Sequence, residues 1–234
     1  MAMKSEIRNL VLFGFGMFAL IILAAPAKAQ VSPQSAQKLE PIPLILPQPV
    51  FEGTPQNLRV PNLEKASPKA RPPFLAPAGV KVVSRRKPVT SGEEPIMGEL
   101  SQVTDNDKGA EEGNYITLGP GKQFVTVDLG ALNEIYAVVF WHFHKTPRVY
   151  FDVIVQIADD AGFTKNVRTL FNNDHDNTSK MGAGKDMNYI ETSEGKLVDA
   201  KGAVARYVRL YSNGNNADEM NHMIEVEVFG RPAK

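Results

Sequence analysis

Two histidines one residue apart, His142 and His144, stand in the stretch Trp141-His142-Phe143-His144-Lys145-Thr146-Pro147-Arg148-Val149-Tyr150. On an extended strand residues i and i+2 share a face, so two such imidazoles are expected either to converge on a metal ion or ligand, or to be ordinary hydrogen-bonded histidines. A second polar group, Asn172-Asn173-Asp174-His175-Asp176-Asn177, collects short oxygen-bearing side chains. Asn173, Asp174 and His175 there suit a second cation or the hydroxyls of a sugar; the spacing fits no EF-hand loop, and a plain solvated loop has the same composition. A third group runs from Ser212-Asn213-Gly214-Asn215-Asn216 to Asn221-His222. Its Asn and Gly favour tight turns whatever the function, while Asn213, Asn216 and His222 are candidates for lining a pocket. The fourth is Asp105-Asn106-Asp107, where one turn offers two carboxylates and several carbonyls within a small radius, as a hard cation such as calcium requires and as an ion-free turn also does.

None of these groups is a catalytic signature. The chain has no cysteine, no His-Glu-x-x-His, no Gly-x-Ser-x-Gly and no Walker loop, so the usual nucleophile, zinc and phosphate chemistries lack their motifs. Acidic pairs such as Asp159 and Asp160 exist, but a glycosidase needs its carboxyls across a cleft. A non-enzymatic binding protein is therefore expected, with a hydrolase as the minor alternative. Lysine plus arginine equals aspartate plus glutamate, 26 each, so no global field draws the chain to nucleic acid or to an anionic membrane.

The elements that must position these groups fall into three regions. Residues 1–29 read as an export signal: Lys4 and Arg8 precede an apolar run from residue 10 to 25, and Ala27-Lys28-Ala29 forms an Ala-x-Ala cleavage site. The run is shorter than the roughly 20 residues of a comfortable membrane span. A periplasmic or secreted location of bacterial type follows, the alternative being an inner-membrane anchor formed by an uncleaved N-terminal helix. An exported chain without cysteine must rely on its core, helped or not by a metal ion, rather than on cross-links.

Residues 30–78 are crowded with prolines, among them Pro41, Pro43, Pro47 and Pro49. Proline fixes φ and removes a donor, so this region reads as a proline-rich disordered linker, semi-rigid and partly extended. Its apolar residues Ile42, Leu44, Ile45, Leu46, Val50 and Phe51 are more than a solvated tether needs, and either dock on the folded module or on a partner. Residues 79–231 form one domain-sized region. Short β-branched and aromatic runs at 80–84, 115–118, 123–129, 134–143, 149–158, 167–171, 206–211 and 223–229 are bounded by Gly, Asn and Asp, with no sustained helical period. Val125, Val127 and Leu129 alternate with Thr126 and Asp128, whereas residues 135–141 are apolar on both faces. The first pattern suits a half-buried strand and the second a strand covered on both sides, which together predict an all-β sandwich of two antiparallel sheets, a jelly roll. Trp141 falls on the same face as Ile135, Ala137 and Val139 and is expected in the core.

At this point the residues resemble the discoidin, or coagulation-factor-5/8 type C, domain family, whose bacterial members include galactose-binding-like carbohydrate-binding modules. Val103-Thr104-Asp105-Asn106-Asp107 is similar to the family's early Asp-Gly-Asp loop, with Asn106 in place of glycine. Phe124-Val125-Thr126-Val127-Asp128-Leu129-Gly130 resembles its V-D-L-G strand, Ala205-Arg206-Tyr207-Val208-Arg209-Leu210 its A-R-Y-V-R-L strand, and Ile224-Glu225-Val226-Glu227-Val228-Phe229-Gly230 its closing strand. The tryptophan that often follows the early loop is absent, and the segment 171–194 is longer and more polar than in compact members. The resemblance implies a structural calcium ion held by Asp105, Asp107, the carbonyls around Gln102 and Lys108, and Glu225, with Glu227 as the alternative to Glu225. It also implies a sugar site at one end of the jelly roll, with Arg148, His144 and Tyr150 as the converging groups. The expectation is a monomeric, exported, non-catalytic module for glycan, the alternative partner being an envelope or extracellular protein.

Overall fold

A computed structural model describes residues 38–50, 58–65, 67 and 69–234. The expected export signal at 1–29 lies outside the described residues. Among the described residues every strand pairing is antiparallel, and the one parallel contact is the isolated bridge between Leu63 and Asn188. These residues form ten strands, β1 (Leu39–Pro41), β2 (Leu75–Pro77), β3 (Lys81–Val82), β4 (Val89–Ser91), β5 (Ile116–Leu118), β6 (Gln123–His142), β7 (Ile154–Ala158), β8 (Arg168–Asn172), β9 (Lys196–Ser212) and β10 (Asn221–Pro232), and one 3-10 turn at Leu100–Thr104. Among the described residues no helix is long and apolar enough to cross a membrane.

The order β3-β10-β6-β9-β7-β8 is one continuous hydrogen-bonded array, yet it makes two layers. The reason lies in β6 and β9, of 20 and 17 residues, well beyond an ordinary strand of about 5 or 6. Residues 123–128 of β6 pair with 207–212 of β9, while 133–140 pair with 196–205, and the register shifts between Asp128 and Asn133. Gly130 sits at that corner with φ +85°, a backbone state that L side chains resist. Beyond it, the second half of β6 pairs with β10, and the first half with β4. Strands β7 and β10 never pair with each other, but Val155 and Ile157 share one buried cluster with Val226 and Val228. The layers therefore face each other across that cluster, which also takes Val125, Val127, Leu129, Val138 and Phe140. Each such fully buried side chain contributes about 1.5–3 kcal/mol. The domain is an all-β sandwich of two antiparallel layers.

The outer face of the β6–β10 layer carries a second cluster, built on Ala137, Val139, Trp141, Ile224 and Phe229. Among the described residues it is the N-terminal ribbon and its flanks that cover it. Ile42 and Ala76 are buried against it, and Leu44 and Phe74 pack there as well. This corrects the reading of 30–78 as a disordered linker: where described, it includes the ribbon β1–β2, in register Leu39 to Pro77 and Pro41 to Leu75. The prolines are accommodated because a two-stranded edge ribbon leaves many amides unpaired in any case, and the apolar side chains between them supply the driving force. Farther along, Arg71 clasps the loop before β9, its guanidinium donating to the carbonyls of Glu194 and Gly195 at 2.7 Å each. Lys196 pairs with Glu64 at 3.1 Å.

Ile135 lies in the inter-layer cluster while Ala137, Val139 and Trp141 lie in the outer one. Simple alternation puts all four on one face; the bulge between Ile135 and Ala137 switches the pattern. Trp141 is fully buried, and its indole NH donates to the Ser193 carbonyl at 3.0 Å. Gly195 is required beside it: a Cβ there would lie 2.5 Å from the ring, and φ is +63°.

Candidate functional site

The β6–β7 loop and the loops that follow β8 and β9 meet at one end of the sandwich, and short hydrogen bonds hold them in place. Phe151 and Asn213 exchange contacts with their neighbours, the Phe151 amide donating to the Gly214 carbonyl at 3.1 Å and the Asn213 amide to the Phe151 carbonyl at 2.9 Å. Val149 and Asn216 are clamped twice, through the Val149 amide to the Asn216 side-chain oxygen at 2.7 Å and the Asn216 amide to the Val149 carbonyl at 3.0 Å. The Asn213 side chain donates to Asp152 at 2.8 Å, and Thr178 donates to the same carboxylate oxygen. Arg148 donates to Asp218 at 2.7 Å. Burial works against the Asp218 charge, but hydrogen bonds from Asn215 and Arg148 outweigh it and hold the carboxyl below the usual carboxylate range.

An open cavity of about 550 Å³ lies among these loops, lined by Phe151, Asn213, Asn216, Asp218, Glu219 and Pro120. Phe151 is half-buried and lines the cavity. A ring beside amides and carboxylates offers stacking to an apolar face and hydrogen bonds to hydroxyls. A somewhat larger cavity, about 620 Å³, lies between residues 64–72 and 189–197. There Arg71 is already bound to Glu194 and Gly195, and Lys196 to Glu64, so its charged walls are engaged with one another. The smaller cavity is the better candidate because it brings an aromatic residue, Phe151, together with the amide residues Asn213 and Asn216.

Of the residues singled out in the sequence, Arg148, Asn213 and Asn216 stand at this cavity or on its rim. Several others are present at the same end but sealed beneath it. His142 is fully buried, 2.7 Å from Glu191 and stacked on Tyr150 at 4.2 Å. The buried Tyr150 hydroxyl lies 2.9 Å from Nδ1 of His222. Burial, helped by the Arg148 charge, lowers His222 to about 4 and leaves it neutral; burial also pushes the Tyr150 phenol well up. Tyr150 and His222 are thus buried and are not among the residues that line the cavity. Asn173 and Asp174 are likewise buried: the Asn173 oxygen accepts from the Val153 amide at 2.7 Å, while Asp174 caps the amides of Thr178 and Ser179. His175 is half-buried on the same loop.

His142 and His144 take different partners: strand β6 ends at His142, whose ring meets Glu191, while the His144 ring lies 3.0 Å from the Lys108 carbonyl. Phe151, the ring that actually lines the cavity, was missed by sequence reasoning. It directly follows Tyr150, and two adjacent residues on extended backbone point opposite ways; the more polar ring was the natural choice, yet it is the one that turns inward.

The residues implied as calcium ligands are also arranged differently from a cation cradle. Glu225 is buried and accepts from the Asn106 amide at 2.9 Å. Burial lifts its carboxyl to about 9; the Asn106 amide opposes the rise, and the charges of Glu227 and Asp105 add to it. Asp105 accepts from the Asp107 amide and Asp107 from the Gly109 amide, each at 2.8 Å. Among the described residues the one acidic or histidine triad with ligand atoms all within 4.8 Å is Asp152, Asp174 and Asp176, not Asp105, Asp107 and Glu225. A hard cation needs six to eight oxygens at 2.3–2.6 Å, whereas an oxygen of each of these three carboxylates accepts a backbone amide here.

No protein-family model matches the chain, and no curated protein matches it. Solved structures do resemble it. One is the CBM32 of AlyQ in complex with 4,5-unsaturated mannuronic acid, at 15% identity and a TM-score of 0.45, covering 61% of this chain and 93% of that one. Another is CpGH89CBM32-4 of Clostridium perfringens in complex with GlcNAc-α-1,4-galactose, at 14% identity and a TM-score of 0.49, covering 66% and 96%. A third is the family 89 glycoside hydrolase of Clostridium perfringens in complex with 2-acetamido-1,2-dideoxynojirmycin, at 17% identity and a TM-score of 0.48, where 65% of this chain corresponds to 15% of that one.

Proposed function

We propose that the chain is an exported, non-catalytic binding module that takes a neutral saccharide into the cavity beside Phe151. The observation that carries this reading is the half-buried Phe151 ring set among Asn213, Asn216 and the Arg148–Asp218 pair. A pyranose presents an apolar face and a fringe of hydroxyls, which match a ring and a set of amides held rigid by backbone bonds. In this reading Phe151 stacks on the sugar, Asn213 and Asn216 bond its hydroxyls, and Arg148 holds Asp218 in place. The buried group of His142, Glu191, Tyr150 and His222 fixes the loop from below. The reading of residues 1–29 as an export signal places the module in the periplasm or outside the cell.

The test is a glycan array followed by calorimetry on the best hits. Phe151→Ala is expected to weaken binding about tenfold, equivalent to about 1.4 kcal/mol, with an unchanged melting temperature. Absence of saccharide binding at millimolar concentration would overturn the proposal.

A second reading, attachment to an envelope or extracellular protein, is favoured by one feature. Leu39, Ile45, Leu46 and Leu75 on the N-terminal ribbon and its continuation are exposed, at 56%, 74%, 44% and 51%, which is apolar surface that a partner would cover. Cross-linking from a photoreactive residue placed at Ile45 distinguishes the two, since a saccharide receptor shows no specific protein adduct there.

A further inference from the structure

We propose that the ammonium group of Lys108 is the built-in cation of the 105–109 loop, standing in for a bound divalent ion. Lys108 is a surface residue type driven inside: its side chain is 5% exposed and that of its partner Glu227 3%, with Nζ 2.9 Å from Oε1. The same Nζ lies 3.5 Å from the side-chain oxygen of Asn106 and 5.6 Å from the centre of the Trp141 ring. Carboxylate, amide oxygen and aromatic face are the three kinds of partner an ammonium takes when water is excluded.

The loop around it is closed by its own bonds. Glu225 reaches across from β10 to the Asn106 amide, which is held at φ +79°. The Lys108 carbonyl lies 3.0 Å from the His144 ring, so the loop is tied to the segment that continues from β6 toward Arg148. A divalent ion brought among Asp105, Asp107 and Glu225 would face a fixed positive charge in a region of low dielectric, where repulsion is only weakly screened. One permanent charge on the chain thus replaces an ion that would have to be captured, and the loop stays closed whether or not calcium is present.

The experiment uses the full chain with calcium chloride as probe. Melting curves in millimolar calcium and in excess EDTA are expected to coincide within about 1 °C, and calorimetry with calcium to show no saturable heat. Lys108→Met, which keeps the length of the side chain and removes its charge, is expected to lower the melting temperature by about 6 °C or more in both media, as loss of one partner of a buried pair does. A saturable rise in the wild-type melting temperature with calcium overturns the proposal, as does a Lys108→Met protein that melts like wild type. Should Lys108→Met fail to fold, the wild-type calcium titration decides alone, coincident curves supporting the proposal and a saturable shift refuting it.

Discussion

Two polar groups in this sandwich have opposite characters. Around Lys108, Glu225 and Glu227 the polar atoms face inward and are met by the chain itself. Around Asn213, Asn216 and Asp218 the polar atoms hold loops together at the edge of an open cavity. Both read as ligand sites in the sequence, because both are rich in Asp, Asn and Glu. Burial separates them: a buried ion pair stabilises or destabilises the fold depending on whether both members are present, whereas an exposed amide is free to exchange water for a ligand.

That contrast can be broken by substitution. The largest effect is expected at Glu227→Ala, which leaves Lys108 buried without its carboxylate; a cost of about 3–5 kcal/mol corresponds to a fall of roughly 10 °C in melting temperature, read by calorimetry. Next comes pH. The folded His222 titrates near 4 instead of near 6.5, so the unfolded chain binds the extra proton between these values, and stability falls as pH drops from about 6.5 toward 4. His222→Gln is expected to flatten that part of the stability profile, and an unchanged slope would remove His222 from the account. The smallest effect is expected at Asn213→Ala, a loss of a few-fold in saccharide affinity, in line with about 1 kcal/mol for one hydrogen bond. A larger change in melting than in affinity would move Asn213 from the open group to the closed one.

The sequence made the strand content legible because Val125, Val127 and Leu129 alternate cleanly and end at a glycine. It did not show that 123–129 and 134–143 are one strand, since Gly130 looks like a terminator and is instead a corner. The first half of β9 was invisible for a related reason. Val198 and Ala200 do alternate inward, but Lys201 and Gly202, both at positive φ, interrupt the run. In the candidate site, Arg148, Asn213 and Asn216 could be found from composition and loop position. Which of Tyr150 and Phe151 faces the cavity depends on a loop conformation that periodicity does not encode.

The ribbon and the residues around it also decide where the domain can be cut. Removing everything before Gly79 would strip Ile42, Leu44, Phe74 and Ala76 from Ala137, Val139, Trp141, Ile224 and Phe229, leaving a greasy wall on one sheet. Such a truncated protein is expected to self-associate through that wall, visible as concentration-dependent light scattering, while a chain beginning ahead of Lys38 stays dispersed. The proline-rich stretch thus acts in part as the missing third layer of the molecule, threaded on from outside.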